Sequence, residues 1–137
     1  MDMVMNTSHA LAQYKQVNVQ TSVMDASPHK LITLLIDGFI ERVTQAKAAL
    51  NAQKIEAKGE RISKAIQILS GLRGALDFEK GGELASNLDG LYDYMARRLF
   101  TANANNDLDM LDEVIGLMRT VKEGWDGIKE QSAGQGA

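Results

Sequence analysis

The sequence holds no cysteine, one proline and two histidines in 137 residues. Without cysteine there is no disulfide, no cysteine-ligated zinc and no thiol nucleophile. Aromatic residues make up only 5% of the chain while hydrophobic residues make up 45%, so any core is aliphatic. The net charge is −3 and no run of five basic residues occurs. Nucleic acid and anionic membrane are therefore poor partners. No apolar run approaches the roughly 20 residues of a membrane span. The N-terminus lacks the basic stretch followed by an apolar stretch that marks a signal peptide. A cytoplasmic protein is the expectation, with no membrane insertion.

What is present is helical periodicity, and no segment sustains a period of two. One stripe runs Leu31, Leu35, Phe39, Val43, Ala46, Leu50, broadened by Ile32, Ile36 and Ile40. A second runs Ile62, Ile66, Leu69, Leu72, Leu76. A third runs Leu84, Leu88, Leu91, Met95, Leu99, Ala102, and a fourth Leu111, Ile115, Met118, Val121, Trp125, Ile128. The single proline marks the start of the first. Ser27 can accept a hydrogen bond from an orphan N–H, and Pro28 has no N–H to lose at a first helical position. "NAQKIEAKGE" separates helices one and two, Gly81-Gly82 separates two and three, and "NANND" separates three and four, with Asn106 or Asp107 as cap. The expected fold is all-α: an antiparallel up-down-up-down four-helix bundle. It forms one domain over residues 1–137. Residues 1–26 read as a mobile N-terminal cap segment able to form a short helix, and 131–137 as a flexible tail.

Catalytic chemistry is hard to find. Di-iron bundles need Glu-x-x-His pairs, and neither His9 nor His29 follows a glutamate by three. His29 reads as a residue of an exposed first helical turn. The carboxylates of "DFEKGGELASNLDG" are scattered, and no glycine-rich loop follows a strand. No catalytic residue, cofactor or metal site is expected, and the protein does not read as an enzyme.

Glycine is the unusual feature. Gly38, Gly71, Gly74, Gly90, Gly116, Gly124 and Gly127 fall within or near the ends of helical patterns, where each costs about 1 kcal/mol relative to alanine. Either close helix packing offsets this, or a surface is flattened so that another polypeptide can approach. Gly90, off the apolar stripe of "NLDGLYDYM", is the best candidate for the second. Tyr92 and Tyr94 are two apart and cannot share a face, so one packs inward while the other points to a groove or solvent. Leu34 and Gly38 suggest a second apolar surface on helix one. Leu11 and Tyr14 are three apart and, with Val17, suit a short docking turn.

The stretches "YKQV", "SVMDASPHKLITLLIDG", "KAIQILSGLRGALDFEKGGELASNL" and "LYDYMARRLFTANANNDLDMLDEV", with the late Trp125, resemble the flagellar secretion chaperones of the FliS family. The resemblance covers nearly all of residues 12 to 128. It implies a cytoplasmic chaperone that is monomeric when free and binds flagellin 1:1. Such a protein holds the disordered C-terminal segment of flagellin, prevents premature polymerisation and delivers it to the flagellar type III export gate. It also implies an N-terminal segment that covers the bundle until displaced. Leu11, Tyr14, Val17, Leu34, Gly38, Gly90, Tyr92 and Tyr94 are the flagellin-binding or cap candidates. The alternative is a helical-bundle interaction or regulatory protein without an export client.

Overall fold

A computed structural model describes residues 27–134, with side chains described through Ile128. They form four helices and, among the described residues, no strand: α1 Pro28–Asn51, α2 Ile55–Gly74, α3 Phe78–Asn105 and α4 Leu108–Gly134. The all-α expectation holds. The cap segment, residues 1–26, lies outside the described residues; of the tail, 131–134 continue α4 and 135–137 lie outside.

The local chemistry at the helix ends is what the sequence dictates. The Ser27 hydroxyl accepts from the Lys30 N–H at 3.1 Å, with Pro28 in the first turn. Asn106 ends α3 in the left-handed region at φ 53°. The next residue, Asp107, starts α4 by accepting from the Met110 N–H at 3.1 Å. The link from α2 to α3 differs from expectation. It is Ala75–Asp77, not Gly81-Gly82, because the Asp77 carboxylate caps a helical turn there by accepting from the N–H groups of Glu79 and Lys80. The glycine pair instead interrupts α3, with Gly82 at φ 52°, ψ −126°. Helix α2 likewise begins earlier than the punctuation suggested, at Ile55.

Helix α1 packs against α2 and α4, and α3 packs against the same two, so α1 and α3 are diagonal. The ties between neighbours join opposite ends. Lys47 late in α1 pairs with Asp112 early in α4. Arg73 late in α2 meets Asp89 in the first half of α3 at 2.8 Å. Arg98 late in α3 meets Glu113 early in α4 at 2.8 Å. The core is aliphatic with Phe39, Tyr92, Met95 and Met118 among it.

The α1 stripe is buried as expected, apart from Leu50 and the broadening residue Ile40, both half-buried. The α3 stripe is rotated: Ala85 and Tyr92 are buried, whereas Leu84 is 51% exposed and Leu91 half-buried. Positions 84, 88, 91, 95 and 85, 88, 92, 95 both step by three and four, and the choice between them rests on the neighbours α2 and α4.

Candidate functional site

The candidate surface is the outer side of α3 around Gly90. Gly90 is exposed, and a Cβ built there meets no heavy atom within 4 Å. The flat spot it leaves is bounded by two polar clusters. On the α2 side the Arg73 guanidinium forks onto Asp89, donating from Nε at 2.8 Å and from Nη2 at 3.2 Å. It also reaches Asp93 at 3.4 Å, and Asp93 in turn accepts from Arg97 Nε at 3.0 Å. This pairing holds the Asp89 carboxyl below its usual range and raises Arg73. On the α4 side the Tyr94 hydroxyl donates to Glu113 Oε2 at 2.6 Å, and Arg98 Nε donates to Glu113 Oε1 at 2.8 Å. The Arg98 guanidinium lies 5.8 Å from the centre of the Tyr94 ring. The Tyr94 bond, with Arg98 behind it, lowers the Glu113 carboxyl, and the same bond raises the Tyr94 phenol.

These clusters are bidentate or networked, the class of surface ion pair that keeps a fixed geometry. They neutralise one another across helix boundaries. The ground beside Gly90 is thus a narrow, orderly strip without a free charge cluster, suited to contact with a polypeptide rather than to proton transfer. Among the described residues no three His, Asp or Glu side chains are grouped to hold a metal. A depression of about 420 Å³ between α1 and α4 is lined by Asp37, Ile40, Arg119, Lys122, Glu123 and Asp126. Its Lys122 is already paired with Asp37 at 2.8 Å.

The two tyrosines divide as their spacing requires. Tyr92 is 4% exposed, and burial pushes its phenol well above the usual range. Tyr94 faces the α4 rim. Leu34 is half-buried against the core. Gly38 is buried in the α1–α2 contact, where a Cβ would lie 3.6 Å from Ile68 Cδ1. It belongs to the packing and not to an outer surface, because its place beside Phe39 turns it under α2. Leu11, Tyr14 and Val17 lie outside the described residues.

Sequence reasoning missed three features. Phe78, Leu84 and Phe100 on α3 and Ile55 on α2 are about half exposed or more. Lys58 is only 3% exposed, its ammonium donating to the Asn103 carbonyl at 2.8 Å near the end of α3. His29 is not a free residue of an exposed turn. Its ring stacks on Trp125 with centroids 4.4 Å apart and planes 7° apart, and Nε2–H donates to the Trp125 carbonyl at 3.1 Å. Trp125 Nε1–H returns a bond to the His29 carbonyl at 3.3 Å and to Thr33 Oγ1 at 3.2 Å. Among the exposed apolar groups only Phe100 had a faint signal, as a large residue off its helix's stripe; Leu84 lies on the stripe read from the sequence. Lys58 and His29 had none, since the partners lie 45 and 96 residues away.

Compared with known proteins, residues 10–132 match the family model described as flagellar protein FliS. The chain belongs to the FliS family. It is 55% identical over 119 residues to the flagellar secretion chaperone FliSB of Pseudomonas aeruginosa, covering 87% of this chain and 94% of that one. It is 46% identical over 132 residues to the flagellar secretion chaperone FliS of Salmonella typhimurium, covering 96% and 98%. A solved structure described as a flagellar chaperone from bacteria superposes with a TM-score of 0.72 at 22% identity, over 88% of this chain and 98% of that one, which shows a shared fold. The FliS assignment places the α3 surface on a flagellar secretion chaperone. No helix among the described residues is long and apolar enough to cross a membrane.

Proposed function

We propose that this FliS-family chain is a cytoplasmic chaperone for flagellin: it binds the C-terminal segment of newly made flagellin, keeps it from polymerising and hands it to the flagellar type III export apparatus. The observation that carries this reading is the 55% identity, over nearly the full length of both chains, to a protein named as a flagellar secretion chaperone. The physics of the surface agrees with it. The described structure leaves Ile55, Phe78, Leu84 and Phe100 about half exposed or more in a protein whose core is otherwise closed. A segment that folds on binding must offset a few kcal/mol of ordering, and apolar burial is the main source for that. The exposed strip beside Gly90 lets a client backbone come close to α3. Residues 1–26, with Leu11, Tyr14 and Val17, serve in this reading as a cover that the client displaces and that then meets the export gate. The free protein is monomeric and takes one flagellin.

Titration calorimetry with the C-terminal segment of the host's flagellin tests the reading. The expected result is saturable 1:1 binding with a clearly negative heat-capacity change and little dependence on salt. A well-folded protein that yields no saturable heat overturns it. A heat-capacity change near zero with affinity collapsing in moderate salt overturns the apolar mechanism.

A further inference from the structure

The start of α3 is built in two pieces. Phe78–Gly81 form a single turn with its own cap: the Asp77 carboxylate accepts from Glu79 and Lys80, and the Gly81 N–H donates to the Asp77 carbonyl at 2.7 Å. Gly82 then breaks the helix at φ 52°, ψ −126°, a conformation open to glycine and strained for other residues. No heavy atom lies within 4 Å of a Cβ built there, so no packing demands the glycine. The demand is in the backbone alone.

The register of α3 makes this break informative. Its buried seam is Ala85, Tyr92 and Leu99, spaced by seven, alternating with half-buried Leu88 and buried Met95 and Ala102, also spaced by seven. Extended backwards by one heptad, the seam falls on Phe78 and Gly81. A continuous helix would therefore bring Phe78 round to the face that carries Ala85 and Tyr92. In the broken form Phe78 is instead 50% exposed. The break also sets Glu83, Leu84 and Ala85 in the first turn of a second helical piece, where an unbroken helix would have them in its interior. The link Ala75–Asp77 has the reach for both forms. Three extended residues span ~10 Å, comparable to the spacing of packed helix axes.

We propose that the first turn of α3 is a two-state element hinged at Gly82, which presents Phe78 to solvent when the helix is broken and withdraws it to the core seam when the helix is continuous. The element is independent of any client. Whatever buries Phe78 from outside favours the broken form.

Gly82→Ala is the decisive variant, since alanine is disfavoured at φ 52° and favoured in a helix. Hydrogen exchange followed residue by residue should show the amides of Glu83, Leu84 and Ala85 protected at least tenfold more than in the parent. Protection near the middle of α3 should not change. Equal or lower protection at those three amides, with the helical circular dichroism retained, overturns the proposal. Gly81→Ala raises helix propensity without touching the break and should not reproduce the effect; equal protection in both variants also overturns it. If Gly82→Ala does not fold, relaxation dispersion on the parent protein decides. Exchange on the microsecond-to-millisecond scale confined to residues 78–86 supports the two states. Its absence there overturns them.

Discussion

Helices α1 and α3 sit diagonally in the same bundle, share the same two neighbours and are built on different plans. Eight of the 24 residues of α1 are buried, against five of the 28 in α3. Helix α1 is apolar over adjoining faces: Leu31, Leu35, Phe39 and Val43 are joined by Ile32 and Ile36, all at 5% exposure or below. Helix α3 gives the core a thin seam and turns towards solvent a glycine, three half-exposed apolar side chains and a set of paired charges. A helix saturated with internal contacts has little left to offer a partner. A helix that holds its place by a narrow seam and by ion pairs at its flanks keeps an outer side free. The difference separates scaffold from working surface, and it can be attacked from either end.

The largest effect should come from the scaffold. Phe39 has no exposed surface, and Phe39→Ala should cost about 3–5 kcal/mol of stability through lost burial and a residual cavity. Chemical denaturation measures this directly. Flagellin affinity, measured where the variant is still folded, should be unchanged. An intact stability with lost affinity would place the working surface on α1 and reverse the comparison.

The next effect lies at the joint between α2 and α3. Lys58→Met keeps most of the buried stem but leaves the Asn103 carbonyl without its charged donor. A hydrogen bond to a charged group contributes about 1.5–3 kcal/mol, and the loss should appear in the denaturation midpoint. Hydrogen exchange should show it concentrated at the last turn of α3. A uniform loss across the molecule would mean that Lys58 supports the bundle as a whole.

A third test addresses the working surface alone. Because a side chain at Gly90 enters open space, Gly90→Leu should leave stability equal or raise it by up to ~0.8 kcal/mol through helix propensity. Flagellin binding should weaken about tenfold, which corresponds to 1.4 kcal/mol. Melting and calorimetry on the same variant give both numbers. Unchanged affinity would move the client away from the strip between the two ion-pair clusters.

The sequence discloses the two plans unequally. The α1 stripe is legible because every apolar position repeats by three or four and the helix is apolar enough that a small error in register changes nothing. On α3 two registers compete, and the purely aliphatic side chains of Leu84 and Leu91 point to the wrong one; Ala85 and Tyr92 are buried instead. The tyrosine division follows from helix geometry alone, so it could be read in advance, and so could the openness of Gly90. Gly38 could not, because its burial depends on Ile68 of another helix. Lys58 and His29 are of the same kind: a lysine or histidine in a helix reads as wet until a distant carbonyl or indole is brought to it by folding. Gly81-Gly82 was legible as an interruption, but whether it ends a helix or bends one depends on Asp77, which caps the turn ahead of it.

The smallest effect is on the flanks of α3 and depends on pH. Asp89 and Glu113 have ordinary values of 3.8 and 4.5, and both are lowered in the folded protein, Asp89 by Arg73 and Glu113 by the Tyr94 hydroxyl with Arg98 behind it. A carboxylate lowered on folding contributes stability that is fully present above its unfolded value. That contribution is lost as pH falls through the folded one. The acid limb should therefore open below pH 4.5 and deepen below 3.8. Tyr94 works in the other direction. Its phenol, ordinarily at 10.0, is raised because the neutral hydroxyl donates to Glu113. Its contribution is present below pH 10.0 and fades as pH rises through the folded value. Glu113→Gln keeps the shape of the side chain and removes its titration, so it should flatten part of the acid limb while leaving the part that belongs to Asp89. It should also shift the Tyr94 phenol back towards its ordinary value, since an amide is a weaker acceptor than a carboxylate. Denaturation midpoints from pH 6 down to pH 3, and ultraviolet titration of the tyrosines in alkali, measure the two limbs. A Glu113→Gln profile that coincides with the parent at both ends would show that the Tyr94–Glu113–Arg98 cluster is solvated decoration, and that α3 is held on its flanks by the Arg73–Asp89 pair alone.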